Sequence, residues 1–270
     1  MNILFTGHKG FLGKEMIPYL SQNHNILCPD IRYTDSRSVD DFIRDNPIDI
    51  ILHAAIKGGR RIKVDESDDC YDNILMFENL CKHGIKMINF DSGASFDRRR
   101  SIHNVKENEL GEHIPVDYYG LSKYVTGVRC RDFDHTYNLR FFNVWGPEET
   151  PDRFTKVNVK NYINNKEIVI FKDIYMDFFY IEDTKKVVDY YLNPDTQMYK
   201  DVNLVYEDNN TLSRFANMIN QLSDHKVDVK ILEEGIGKSY CGDGKVLSYL
   251  GLDLMGLEKS LEHYYEACIC

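Results

Sequence analysis

The feature that most constrains the fold is a glycine-rich turn near the start of the chain. It joins the apolar run Asn2–Thr6, typical of a buried strand, to Phe11–Leu20, whose apolar residues lie along one side of a helix. Gly7, Gly10 and Gly13 have the spacing GxxGxxG, which allows a tight turn, close approach of the backbone to a ligand, and close packing of helix on strand. Because a helix N-terminus offers free N–H groups and a positive dipole end, the turn predicts a phosphate-binding βα unit.

Short apolar runs alternate with amphipathic stretches through the rest of the first half. Strands are predicted over residues 25–28, 49–53, 85–90 and 138–142, and helices over 39–45, 69–83 and 118–133. Strands that alternate with helices form parallel crossovers. The sequence therefore predicts an α/β fold with a Rossmann-type, doubly wound parallel sheet.

After residue 147 this alternation becomes less regular. Helices are predicted over 157–163 and 181–192, strands over 168–171, 202–205 and 227–232, and two or three more helices after residue 211. Because this region is too short to stand alone, we expect a small C-terminal α/β lobe that closes over the sheet edge. The predicted division is a Rossmann domain over 1–150, to which 174–206 returns, and a substrate-binding lobe over 151–173 and 207–270.

The chain has 270 residues and a formal net charge of −10, from 33 basic and 43 acidic residues. Such a surface does not attract nucleic acid or anionic lipid through its overall field, so neither is expected as a partner. The seven cysteines include no CxxC pair, which argues against a disulfide framework or a metal site and favours a reducing cytoplasm. A metal-binding tail at Cys268 and Cys270 is the alternative to an inert one. We recognise no signal peptide and no membrane-spanning run.

Tyr119 and Lys123 form a YxxxK pattern at the start of a predicted helix, four positions apart and therefore on one helix face. A free tyrosine has a pKa of about 10, and a neighbouring ammonium group lowers that pKa because it favours the phenolate. Ser92 follows the fourth predicted strand and could hold a substrate oxygen beside Tyr119. The predicted trio transfers a proton through the tyrosine, while the lysine tunes it and the serine orients the substrate. Tyr118 competes for this role but faces differently from Lys123, so we assign it to the wall of the substrate site or to packing.

Charged residues near the end of the second predicted strand are expected to determine which dinucleotide the glycine turn binds. Asp30 lies about where an acid accepts the adenosine ribose hydroxyls of NAD. Lys9 and Arg32 lie nearby and could instead meet the 2′-phosphate of NADP, although Arg32 could also be a solvated loop cation. Because a carboxylate repels a phosphate dianion, one arrangement must dominate. We expect NAD(P) as the cofactor, with NADPH favoured over NADH.

These motifs together resemble the extended short-chain dehydrogenase/reductase family, the NAD-dependent epimerase/dehydratase family, whose members mostly act on nucleotide sugars. The resemblance extends through His53, residues 139–147 and residues 177–183. The N-terminal third is most similar to GDP-fucose synthases and the segment after strand two to dTDP-4-keto-rhamnose reductases, which both reduce a 4-keto sugar. With the residues above, it predicts cofactor contacts from Gly7, Lys9, Gly10, Phe11, Leu12, Gly13, Asp30, Arg32, His53, Ala54, Ala55, Tyr119 and Lys123.

Departures from the family pattern narrow the chemistry that the resemblance implies. The family's dehydratases carry an Asp-Glu pair after the catalytic hydroxyl residue, whereas Ser92 is followed by Gly93 and Ala94, so dehydration is not expected. GDP-fucose synthases epimerise the sugar ring with a cysteine and a histidine. Ala94 stands at the cysteine's place and Lys156 near the histidine's. Met176 stands where the family usually has an arginine that grips the diphosphate.

Cationic loops at the carboxyl edge of the sheet could replace that arginine, because arginine forks suit phosphate oxygens. They comprise Lys57, Arg60, Arg61 and Lys63 after the third strand, and Arg98, Arg99 and Arg100 after the fourth. A solvated charged face is the alternative. Asn143 matches the family's asparagine before the Gly-Pro turn and is expected to contact the sugar. The predicted substrate-binding residues are Lys57, Ser92, Gly93, Ala94, Asn143, Arg153, Lys156 and Met176.

The sequence therefore predicts an NAD(P)-dependent oxidoreductase that acts on a nucleotide sugar, with a 4-keto-sugar reductase as the preferred hypothesis. The alternatives are a 4-epimerase that retains NAD, a reductase of a smaller ketone, and a non-catalytic dinucleotide-binding protein. The family often dimerises through two helices per subunit. A cytoplasmic homodimer formed through residues 69–83 and 118–133 is therefore expected.

Overall fold

Strands and helices alternate through the computed structural model, which describes residues 1–59, 64–207 and 210–269. In chain order the strands are β1 (Asn2–Thr6), β2 (Asn25–Leu27), β3 (Ile50–His53), β4 (Lys86–Ser92), β5 (Ile102–Val105), β6 (Thr136–Phe141), β7 (Val144–Trp145), β8 (Ile168–Asp173), β9 (Phe179–Tyr180), β10 (Asp201–Leu204), β11 (Val229–Ile236) and β12 (Tyr240–Gly242). The helices are α1 (Phe11–Leu20), α2 (Ser36–Asp45), α3 (Ser67–Cys81), α4 (Tyr118–Cys130), α5 (Phe154–Ile163), α6 (Ile181–Leu192), α7 (Leu212–Ile219), α8 (Lys245–Ser248) and α9 (Gly256–Ile269).

Six of these strands form one parallel sheet in the order β10-β6-β4-β3-β1-β2. The predicted α/β class with a doubly wound, Rossmann-type sheet is therefore confirmed. The strand order reverses at β1 and β3, whose carboxyl ends lie side by side with Thr6 paired to His53. Next to them, Ser92 at the end of β4 pairs with Phe141 of β6. Because ligands of such sheets bind at the carboxyl edge near the reversal, the sequence motifs converge where a ligand is expected.

The sheet is buried on both faces because alternate side chains of its strands enter two apolar layers. Ile3 and Phe5 of β1 pack in one cluster with Trp145, whereas Leu4 packs in a second cluster with Phe77 of α3. A strand that is covered on both faces is expected to be an unbroken apolar run. This burial explains why the first strand could be recognised from its sequence.

The helix ends depend on capping groups as well as on apolar periodicity. The helices predicted over 39–45, 69–83, 118–133 and 157–163 form α2, α3, α4 and α5, with ends shifted by up to three residues. α2 begins early, at Ser36, because Asp35 caps it by accepting a hydrogen bond from a backbone N–H of its first turn. α4 stops early, at Cys130, where the Thr136 side chain donates to the last carbonyl at 2.6 Å.

Beyond residue 147, α5 and α7 pack on a two-stranded parallel ribbon of β8 and β11. This region shares its core with the sheet, because one apolar cluster contains Ile3 of β1, Ile168 of β8 and Phe215 of α7. The pairs β5–β12 and β7–β9 were not predicted, since β7 and β9 have two residues each and β5 carries the exposed polar residues His103 and Asn104. Within the described ranges, no helix has the length and apolar character needed to cross a membrane.

Candidate active site

The glycine turn leaves no room for side chains. Gly7 has a φ of +75°, and a Cβ added there would lie 2.7 Å from the Ala54 carbonyl carbon. A Cβ on Gly13 would lie 2.3 Å from the His8 carbonyl oxygen, so only glycine allows this contact between helix and turn. Gly10 precedes α1 and offers no capping side chain, which leaves the N–H groups of the first turn for an anion. The turn therefore fits the pyrophosphate of a dinucleotide.

A buried hydrogen-bonded link fixes the adjacent ends of β1 and β3. His53 Nδ1 lies 2.9 Å from Thr6 Oγ1, which also accepts a hydrogen bond of 3.0 Å from the Ala55 N–H. Burial, and to a smaller extent the charge of Lys123, lowers the pKa of His53 to about 3, so this ring is neutral at physiological pH. His53 thus holds the strand ends together, while Ala54 lines the cavity described below.

The residues expected to choose between dinucleotides are all exposed on the surface. Lys9 Nζ is 3.4 Å from Asp30 Oδ1, and both side chains are exposed. Arg32 is also exposed, on the loop that follows β2. An exposed ion pair of this kind contributes little stability, so a ligand can displace it at small cost.

Ser92, Tyr119 and Lys123 line one cavity of about 470 Å3, here called the central cavity, together with Leu12 of α1, Ala54 and Asn143. The Asp117 side chain caps α4 by accepting the Gly120 N–H at 2.8 Å. This cap places Tyr119 in the first helical turn and Lys123 one turn later. Lys123 is buried, and its Nζ donates to the Phe90 carbonyl at 2.7 Å. The structure therefore brings the predicted trio to one place, next to the glycine turn.

The electrostatic environment of Tyr119 is set by opposing influences. Burial raises the pKa of Tyr119, and so does the charge of Asp91. A hydrogen bond with Ser92 lowers the pKa of Tyr119, as do the charges of Arg98 and Arg153. Burial prevails, so Tyr119 is a protonated phenol in the protein without ligands and can serve as a proton donor.

A buried ion pair lies directly behind the trio. Asp91 Oδ2 accepts from Arg140 Nε at 2.7 Å and from Asn138 Nδ2 at 3.0 Å, and the Asp91 and Arg140 side chains are fully buried. Arg140 also donates to Asp201 Oδ1 at 2.9 Å. These contacts tie β4, β6 and β10 together. Burial lowers the pKa of Lys123, whereas the charge of Asp91 raises it and so favours the ammonium form.

The predicted substrate residues separate into two groups. Asn143, Arg153 and Met176 line the central cavity, and Arg153 donates to the Asn143 side-chain oxygen. Four others do not reach it: Lys57 pairs with Asp72, Lys156 donates to the carbonyls of Pro147 and Glu149, and Gly93 and Ala94 are buried beside the Phe142 ring and behind Ser92 respectively.

Of the cationic loops, Arg98 and Arg100 line the central cavity, whereas Arg99 pairs with Asp97. Arg60, Arg61 and Lys63 lie outside the described residues. Lys238 and Tyr240 also line the cavity, and no local motif marks either of them. The available signal was weak: both follow a strand predicted in the region expected to close over the sheet.

A second cavity adjoins the first and has the same size, about 470 Å3. It is here called the outer cavity, and it is lined by Val157 and Asn158 of α5 and by Phe171 of β8. Ile174 and Met176 line both cavities. Ile174 and Met176 therefore form a wall that the two cavities share. Phe171 is 66% exposed, so a large aromatic side chain is available in the outer cavity.

The geometry agrees with comparisons to known proteins. The family model for the NAD dependent epimerase/dehydratase family matches residues 3–204. The chain belongs to this family. Its members are NAD(P)-dependent enzymes of the extended short-chain dehydrogenase/reductase type that modify nucleotide sugars, so the predicted family is confirmed.

Individual relatives are distant in sequence. An uncharacterized UDP-glucose epimerase, YtcB, of Bacillus subtilis is 24% identical over 88% of this chain and 87% of that protein. The UDP-glucose 4-epimerase of Thermotoga maritima, solved with UDP-glucose, superposes with a TM-score of 0.80 at 19% identity over 100% and 99% of the two chains. The GDP-mannoheptose C4 reductase of Campylobacter jejuni, solved with NADP, gives 0.79 at 15% identity over 100% and 98%. These structural likenesses show a shared fold.

Proposed function

We propose that this family member is an NAD(P)-dependent reductase of a 4-keto nucleotide sugar. The observation that carries the proposal is the single cavity that joins the glycine turn to Ser92, Tyr119 and Lys123. The residues that follow Ser92 support reduction, because Gly93 and Ala94 provide neither an acid–base pair for dehydration nor a thiol for ring epimerisation.

The chain's own groups supply the proton half of the reaction. A reduced nicotinamide supplies the hydride when it is bound beside the trio. Ser92 donates a hydrogen bond that orients the substrate carbonyl, and Tyr119 transfers its phenolic proton to that oxygen as the ketone becomes an alcohol. Lys123, held at the Phe90 carbonyl, stabilises the resulting phenolate by its charge. The glycine turn supports the presence of a dinucleotide, because Gly7 lets it pack against the backbone of Ala54 and Gly13 lets α1 pack against the backbone of His8, which leaves the helix N-terminus facing the turn.

The two adjoining cavities support a nucleotide-linked substrate rather than a small ketone. With the sugar beside Ser92, a nucleobase would stack on the exposed Phe171 ring in the outer cavity. The diphosphate would then lie near Met176, which carries no charge. Arg100 and Lys238 line the central cavity and are the candidates to hold phosphate oxygens in its place.

NADPH is the favoured reductant in this proposal. Lys9 already neutralises Asp30 on the surface, which weakens the repulsion that this carboxylate would exert on a 2′-phosphate. Lys9 and Arg32 could then both approach that phosphate. Fluorescence titration with NADPH and NADH tests the preference: we expect tighter binding of NADPH, and tighter binding of NADH would contradict it.

The function is tested by supplying a panel of 4-keto nucleotide sugars with NADPH or NADH and following the loss of reduced cofactor. Tyr119→Phe should abolish turnover while cofactor binding is unchanged, and Tyr118→Phe, which removes a neighbouring exposed hydroxyl, is the matched control. Unchanged turnover in Tyr119→Phe would remove the proton-transfer assignment. Purification of the protein with tightly retained NAD, and interconversion of epimers without net oxidation, would replace the reductase by a 4-epimerase.

A further inference from the structure

Tyr240 brings a third hydroxyl group to the reacting centre from near the other end of the chain. Its hydroxyl oxygen lies 3.3 Å from Ser92 Oγ, although the two residues are 148 positions apart. The Tyr240 side chain also lines the central cavity with Ser92 and Tyr119. Ser92 is therefore placed between two phenols, where the family pattern in the sequence indicated one.

The position of the Tyr240 ring is fixed by contacts on its backbone and on its face. The Tyr240 N–H donates to the Tyr175 carbonyl at 2.8 Å, and the Tyr240 carbonyl accepts from the Asp177 N–H at 3.3 Å. The ring meets Phe142 nearly edge-on, with 5.4 Å between the ring centres. A side chain held in this way keeps its hydroxyl in place, which is the requirement for orienting another group.

The hydrogen bonds that Ser92 can make decide which of the two hydroxyl groups donates in its contact with Tyr240. Ser92 has a single hydroxyl proton, and its oxygen already accepts the Ala94 N–H at 3.2 Å. In the proposed reaction this proton is donated to the substrate carbonyl, and without substrate a Tyr119 phenolate can only accept it, so in neither state does it point to Tyr240. The Ser92 oxygen then has a lone pair for Tyr240, which must be the donor. Burial raises the pKa of Tyr240, so its phenol keeps the proton to be donated.

We propose that Tyr240 is a positioning residue that donates to Ser92 Oγ and thereby keeps the single Ser92 proton for the reacting substrate oxygen, or for the Tyr119 phenolate when no substrate is bound. This inference rests on the proposed function of the trio. It also makes the reacting centre depend on β12, so that the segment around residue 240 must be docked before Ser92 is correctly oriented.

The test is a double-mutant cycle of Tyr240→Phe and Ser92→Ala, with Tyr175→Phe as the control. Tyr240→Phe keeps the ring that packs on Phe142, so the fold should be retained, as circular dichroism would verify. Tyr175 lies in the adjacent strand-like segment, meets the His103 ring edge-on and does not line the central cavity. With a 4-keto sugar, we expect Tyr240→Phe to lower kcat about tenfold without changing the KM for NADPH, which is the effect of losing one hydrogen bond.

A second measurement needs no substrate, so it separates this inference from the proposed function. Tyrosine labelled with carbon-13 at Cζ reports the titration of Tyr119, assigned by its loss in Tyr119→Phe. The charged groups near Tyr119 are Asp91, Arg98, Arg153 and, one helical turn away, Lys123, and none of them is altered in the cycle.

Without the Tyr240 donor, the hydrogen bond from Ser92 to the phenolate weakens, so the pKa of Tyr119 should rise in Tyr240→Phe. It should rise in Ser92→Ala as well, and adding Tyr240→Phe to Ser92→Ala should change nothing more. A Tyr119 pKa in Tyr240→Phe equal to that of the wild type would overturn the role of Tyr240. Absence of turnover for every 4-keto sugar would contradict the proposed function, while the titration still decides the inference.

Discussion

The two halves of the central cavity are built in different ways. The cofactor half comes from one continuous turn, Gly7–Gly13, which contributes Leu12, and from Ala54 directly after the neighbouring strand. The substrate half is assembled from distant segments: Ser92 is the last residue of β4, Asn143 precedes β7, Arg153 precedes α5, and Tyr240 lies on β12. The first half is specified by local backbone geometry, and the second by long-range packing. We therefore expect mutations to act on the two halves through different physical causes.

The largest expected effect concerns the buried support of the substrate half. Asp91→Asn removes a fully buried charge and leaves Arg140 without one of its carboxylate partners. We expect the free energy of unfolding to fall by about 3 kcal/mol, because breaking a buried ion pair strands the other charge. Urea unfolding monitored by circular dichroism measures this free energy.

The matched control for this change is Asp132→Asn, which breaks an exposed pair with Arg129. Exposed pairs contribute about 0–1 kcal/mol, so this variant should unfold almost like the wild type. Equal destabilisation of the two variants would show that the network behind Ser92 has no special role.

The difference between the cofactor half and the substrate half also explains how much could be predicted from the sequence. The glycine turn, the strand β1 and the pair Tyr119 and Lys123 were recognisable, because each depends on spacing within a few residues. The contact of Tyr240 with Ser92 was not, because it depends on the pairing of β12 with β5, and β5 has no apolar run. Lys57 and Lys156 matched loop or family positions in the sequence, yet their ammonium groups bind Asp72 and backbone carbonyls instead.

The second effect tests the cofactor half. Gly7→Ala forces a Cβ to within 2.7 Å of the Ala54 carbonyl at a φ of +75°, so the turn must shift away from β3. We expect the Kd for NADPH to rise about 30-fold, or about 2 kcal/mol. Fluorescence titration measures it.

Gly84→Ala provides the control, since Gly84 has a φ of +67° but has open space around its Cβ. Gly84→Ala should lower the free energy of unfolding by about 1 kcal/mol, because alanine is less stable than glycine in the left-handed conformation. It should leave the Kd for NADPH unchanged. Loss of affinity in Gly84→Ala would mean that general destabilisation, and not the turn, controls cofactor binding.

A smaller effect should appear in the substrate half alone. Arg100→Met removes a cation that lines the central cavity. The KM for a nucleotide sugar should rise about tenfold, which is about 1.4 kcal/mol, with the Kd for NADPH unchanged. Arg99→Met is the control, because Arg99 is held by Asp97. Similar KM values for the two variants would exclude Arg100 from the phosphate site.

The smallest effect concerns the choice of dinucleotide. Lys9→Ala should reduce the preference for NADPH over NADH about threefold, because an exposed cation contributes well under 1 kcal/mol to binding a phosphate. Lys14→Ala is the control, because it removes an exposed lysine that pairs with Glu148. It should not change the ratio of the Kd for NADPH to the Kd for NADH. A preference that is unaltered in Lys9→Ala would exclude this lysine from cofactor selection.

The most direct measurement of the central claim uses NADPH carrying deuterium at the transferable position of the nicotinamide, together with a 4-keto nucleotide sugar. Mass spectrometry and NMR of the product locate the label. We predict one deuterium at sugar C4 for each NADPH oxidised, and no product with Tyr119→Phe. An unlabelled sugar, or NADPH that is not consumed while the sugar changes, would contradict the account.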